Sequence, residues 1–202
     1  MISRCEFDHL ITDLLNSIVR EFVQYPADLT IMTCGPETIV DIVWSGNKAD
    51  ISRMIGEGGK TFHFLKELMH MVGNRYGYEV TLNRISEPTK GKVERYAPAK
   101  FGSLWPKARL LALLERTVRE ATVHSLVEIA HSDLDDNTSA VIVRIGRNES
   151  SRMETNLREA LQHTFKVVFN AQGRLIRLTV DRSLTPEAMQ PKTAAGRFAG
   201  ER

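Results

Sequence analysis

The chain reads as an α+β protein of two tandem αββααβ units, each with helices packed on a three-stranded sheet, the second lacking a glycine-rich loop. Three observations predict this. Apolar residues recur at helical spacing in several long segments. Between them lie short β-rich runs paired by turn signatures. The third is a weak internal repeat, in which "IVDIVWSGN" is answered by "AVIVRIGRN" and "YGYEVTLNR" by "QGRLIRLTVDR".

The first segment, Phe7 to Val23, places Phe7, Leu10, Ile11, Leu14, Leu15, Ile18, Val19, Phe22 and Val23 on one helical face, and Pro26 is expected to end it. "DLTIMTC" and "TIVDIVWS", joined by the turn "GPE", predict a hairpin. "ADISRMIG" predicts a short helix capped by Asp50. After a glycine-rich interruption, Phe62, Leu65, Leu68, Met69, Val72 and Tyr76 share a face of a longer helix, and "YEVTLNRI" alternates as a closing strand. Residues 86–105 lack periodicity and contain Pro88, Gly91, Pro98 and Gly102, a linker composition.

Pro106 suits the first turn of the next amphipathic helix, "KARLLALLERTVREAT". A second hairpin follows, then a helix with Met153, Leu157, Leu161, Phe165 and Val168 on one face, then the strand "GRLIRLTVDR". The predicted boundaries are a first unit at 1–86, a basic linker at 87–105, a second unit at 106–183 and a disordered tail at 184–202. "GRNESSRMETNL" passes from hairpin to helix with no glycine loop. The second unit is therefore expected to fold as an independent layer without a glycine turn of its own.

The 202 residues are 42% hydrophobic and 26% charged, the composition of a soluble globular protein. No run approaches the ~18 apolar residues of a membrane span, and the N-terminal residues lack the pattern of a signal peptide, so the expectation is cytoplasmic. Cys5, Cys34 and six scattered histidines fit no metal-ligand spacing; no metal and no cofactor are expected. The net charge of +2 is unevenly spread. Residues 1–85 carry 8 Lys/Arg against 11 Asp/Glu, whereas residues 86–110 carry 6 against 2. So short a basic segment excludes a blanket polyanion binder.

The stretch "RMIGEGGKTF", residues 53–62, carries the functional signal. A nucleotide-binding P-loop needs glycine five positions before its last Gly-Lys, where Met54 stands, and a strand leading in. The dinucleotide pattern GxGxxG fails at Thr61. A Gly-x-x-Gly turn between two helices fits instead. Such a turn admits a sugar-phosphate backbone close to the main chain, and the first amides of the following helix face phosphate oxygens.

In this loop, and in "VQYPADLTI" and "ADISRMIGEGGKTFHFLKELM" around it, the first half resembles the short bacterial KH-domain RNA-binding proteins of the KhpA type, over roughly residues 7–85. The resemblance implies a type II KH domain that clamps about four nucleotides of single-stranded RNA; the looser internal repeat makes the remaining chain a second, degenerate KH-like unit without its loop. It implies that Gly56 and Gly59 make the tight turn, with Gly58 giving room. Lys60 is then the phosphate contact and Arg53 and Lys66 flank the strand, while Ile51, Met54 and Ile55 line the base groove or pack the core. The loop carries Glu57 where a base is usual, and a carboxylate beside phosphate costs on the order of 1 kcal/mol in water. Lys90, Lys92, Arg95, Lys100 and Lys107 are expected as auxiliary contacts that compensate for it.

The leading expectation is a non-catalytic RNA-binding protein. The alternatives are a KH-fold protein-interaction module with weak or lost RNA binding, engaging a protein partner or a second copy, and a nucleotide-binding protein. No paired carboxylates or nucleophile-base spacing points to an enzyme, and no small-molecule substrate or membrane is expected.

Overall fold

The computed structural model describes residues 2–84, 107–122, 127–134, 138–146 and 151–184. The expected linker, with Lys90, Lys92, Arg95 and Lys100, and the tail from residue 185 lie outside the described residues.

Helix α1 spans Arg4–Val19. It starts earlier than its apolar stripe because Ser3 and Glu6 form a capping box: the Glu6 amide donates to the Ser3 hydroxyl, and the Ser3 amide donates to the Glu6 carboxylate at 2.8 Å. These hydrogen bonds hold the Glu6 carboxyl below its ordinary value. The helix also ends earlier than expected. The amides of Glu21 and Phe22 bond three residues back, to Ile18 and Val19, so the helix tightens into turns. Phe22 and Val23 still reach the core, and Pro26 opens a short 3-10 turn, Pro26–Asp28.

Strands β1 (Thr30–Cys34) and β2 (Ile39–Ser45) pair antiparallel, with Thr30 opposite Ser45. Along β2 the inward residues Val40, Ile42 and Trp44 are buried, as period-two alternation requires. Strand β3 (Glu79–Arg84) lies parallel to β2 on its other side, with Ile39 opposite Glu79. A parallel pair needs a crossover. Here it is α2 (Lys48–Ile55), the glycine loop and α3 (Lys60–Tyr76), and the loop is exposed in the middle of it.

Asp50 does not cap α2. Asn47 does, its side-chain oxygen accepting from the Ala49 amide at 3.0 Å. Asp50, 2% exposed, instead accepts from the amides of Gln24 and Tyr25 at 2.6 and 2.7 Å. It ties the crossover helix to the chain between α1 and β1.

The second unit repeats the plan. Strands β4 (Val127–Asp133) and β5 (Thr138–Gly146) pair antiparallel, and β6 (Leu175–Leu184) lies parallel to β5. Helix α4 (Lys107–Ala121) precedes the sheet, and α5 (Ser151–Ala171) is the crossover. Leu157, Leu161, Phe165 and Val168 of the expected face are buried and Met153 is half-buried. Lys107, expected as an RNA contact, pairs with Asp133. Among the described residues no helix is long and apolar enough to cross a membrane.

The two units do not stand apart as independent layers. Helix α3 packs on α1 and β3 of its own unit and also on α4 and α5, and the buried apolar residues of both halves form one cluster. Close approach to β3 depends on Gly73, where an added Cβ would lie 2.4 Å from Val80 Cγ2. Polar ties cross between the halves. The Tyr76 hydroxyl donates to Glu120 at 2.6 Å, Arg116 pairs with Asp13 at 2.8 Å, and Gln172 donates to the Glu21 carbonyl at 2.9 Å.

Glu21 is buried at this junction, 3.8 Å from the exposed Arg109 guanidinium. Burial raises its carboxyl above the ordinary 4.5, and Arg109 offsets this only in part. A carboxyl with a raised folded value destabilises the fold once ionised. That cost is absent below the unfolded value and complete above the folded one. Glu21→Gln is therefore expected to raise the melting temperature near about pH 7 and to leave it unchanged near about pH 4. Melts at both pH values check this; an equal shift at both would show that ionisation is not the cause.

Candidate nucleic-acid interface

Helix α2 closes with the Gly56 amide donating to the Ser52 carbonyl at 2.9 Å. Gly56 then turns the chain with φ 72 and ψ 178, a conformation nearly confined to glycine. A single 3-10 turn follows over Glu57–Gly59, with φ 59 at Gly58 and 77 at Gly59, before α3 begins at Lys60. The glycines differ in surroundings. An added Cβ at Gly56 would lie 2.2 Å from Thr61 Oγ1, whereas at Gly58 or Gly59 it would meet nothing within 4 Å. The turn is thus packed behind and open in front.

No side chain caps the N-terminus of α3. First-turn amides have no intrahelical acceptor, and the helix dipole favours negative charge there. Glu57, Gly58 and Lys60 are exposed at this end. Arg53 is exposed on α2, its guanidinium donating to the Gln24 side chain at 3.3 Å. Ile51 and Ile55 are half-buried, and Met54 is fully buried, so Met54 packs the core and does not line a groove. Lys66 is exposed but lies about 120° round α3 from Lys60, so these two cations do not converge.

An open cleft of about 530 Å³ begins at the loop and runs between α3 and α5. Gly58, Gly59, Lys60, His63 and Phe64 line one wall, and Glu159, Gln162, His163 and Lys166 the other. Arg53, Ile55, Glu57 and Lys66 are not among its lining residues. The two walls meet where His163 Nε2 lies 3.3 Å from Thr61 Oγ1 and its ring packs on Phe64, with centroids 4.8 Å apart. Burial lowers the His163 pKa from its ordinary 6.5, and Lys60 and Lys166 lower it further. The imidazole is therefore neutral near pH 7. Gln162 donates to the Leu178 carbonyl at 2.8 Å and is held there. Among the described residues no group of three or more His, Cys, Asp or Glu is placed to hold a metal ion.

Sequence reasoning missed the α5 wall entirely. Glu159, Gln162, His163 and Lys166 fall at helical spacing on one polar face and read as solvated. The available signal was Phe64, a large apolar residue about 40° beyond Leu68 at the edge of the apolar stripe. It packs on the second unit. The segment leading into the loop is a helix, unlike the strand–loop–helix layout of a P-loop. No family model matches the chain, and no curated protein or solved structure matches it.

Proposed function

We propose that this chain is a non-catalytic, single-stranded RNA-binding protein built from two tandem type II KH-like units, with the Gly56–Gly59 turn holding the RNA backbone. The observation that carries this reading is the open turn at the head of α3. Gly58 and Gly59 leave their outer faces clear, the helix behind them is uncapped, and Lys60 stands at its first position. A phosphate can reach main-chain amides there with no Cβ in the way. The mixed three-stranded sheets and the crossover position of the loop support the KH-like reading. The helix that leads into the loop weighs against nucleotide binding.

Charge changes in the turn test the reading. Residues 57 and 58 are exposed, and aspartate tolerates the left-handed conformation at 58 better than most residues. Glu57→Asp with Gly58→Asp is expected to weaken RNA binding without unfolding the chain. Glu57→Lys is expected to tighten it and to steepen the dependence of log affinity on log salt by about 0.7, the single-strand value per phosphate contact. Anisotropy titrations with a short labelled RNA at several salt concentrations read both. A folded double variant that binds as well as the parent removes the loop from the interface.

A further inference from the structure

Five features of the α3–α5 cleft point to a ligand. It opens directly from the clear faces of Gly58 and Gly59, so a strand held at the turn has its next nucleotide over the cleft. Its volume, about 530 Å³, falls within the range of ~300–1,000 Å³ typical of small-ligand sites. Lys60 from α3 and Lys166 from α5 line opposite walls of the cleft, so two cations border the same space. Phe64, half-buried and packed on His163, adds an aromatic ring to the lining. Glu159 stands seven residues before Lys166 on α5, about 10 Å away, so the repulsive carboxylate and the cation mark opposite ends.

We propose that the cleft is the second half of the RNA site: one phosphate sits between Lys60 and Lys166, and the adjoining base stacks on Phe64. The unit without a glycine loop thereby completes the site of the unit that has one. This rests on the RNA-binding reading and extends it to a residue set on α5. Stacking on an aromatic face is sequence-tolerant, so the cleft adds affinity and length of contact more than base choice. A phosphate between the two lysines also offsets part of their field on His163. Lys60 and His63 on α3 and Glu159 and Lys166 on α5 are the charged and titratable groups around it. In the free chain burial and the two lysines hold the imidazole pKa below its ordinary 6.5; a phosphate beside it raises that pKa. Affinity is therefore expected to rise as pH falls toward and below about 6.

The test uses the full chain, a short labelled uridine-rich RNA, and four variants whose melts are compared with the parent. Lys166→Ala is expected to bind about fivefold more weakly and to lower the salt slope by about 0.7. Arg177→Ala, which removes an exposed cation on β6, is expected to bind as the parent does. His163→Gln is expected to flatten the pH dependence. If Lys166→Ala binds within twofold of the parent while Glu57→Asp with Gly58→Asp loses affinity, the cleft proposal is overturned and the loop reading stands. Equal losses from Lys166→Ala and Arg177→Ala would assign the effect to diffuse charge and also overturn it. A pH dependence that survives His163→Gln removes His163 from the site. A parent chain that binds no RNA overturns the cleft and the loop together.

Discussion

Gly56→Ala is expected to destabilise the chain by about 3 kcal/mol and to abolish RNA binding, whereas Gly58→Ala, two residues on, is expected to cost about 1 kcal/mol. Both glycines have positive φ. They differ in what stands behind them. At Gly56 the methyl would lie 2.2 Å from Thr61 Oγ1 and 2.7 Å from Thr61 Cβ. Thr61 is buried in the first turn of α3 and joined to His163, so it has no room to retreat. At Gly58 the methyl projects into open space, and only the left-handed backbone is penalised. Urea unfolding of the two variants separates the contributions. If Gly56→Ala is no less stable than Gly58→Ala, the packed rear of the turn is not what holds its shape.

The second large effect lies at the other end of α2 from the glycine turn. Asp50→Ala is expected to lower stability by about 3 kcal/mol, and Asp50→Asn by roughly half as much. The carboxylate accepts two amide hydrogen bonds, from Gln24 and Tyr25, at a nearly sealed position. Alanine leaves both donors unmatched. Asparagine can accept from one but turns its own NH₂ toward the other. Chemical denaturation measures the order parent, Asn, Ala. An Ala variant as stable as the parent would mean that water replaces the carboxylate without loss.

These two sites show what was legible in the sequence and what was not. Phe7 to Val19 and Leu65 to Val72 announced their helices because a one-sided core imposes a 3.6-residue period on apolar residues. The Gly56–Gly59 turn was legible because few residues other than glycine accept its backbone angles. Asp50 was misread because capping is a local pattern, whereas its true partners lie 25 and 26 residues earlier in the chain. The end of α1 was set too late because Phe22 and Val23 keep the helical period while the backbone has already tightened. The cleft was invisible for a related reason. His163 and Lys166 look solvated on α5 alone and become part of a wall only when α3 is set against them.

The junction of the halves has a thermodynamic consequence. Helix α3 borders the second unit as well as its own, so its position is coupled to both sheets. A ligand that binds only the folded chain stabilises whatever unfolds together with its site. Occupancy at the head of α3 would thus protect β4, β5 and β6 as fully as β1, β2 and β3, and one melting transition would shift where a chain of separable domains would show two. The second unit would share in any binding free energy gained at the first, through the helix they hold in common.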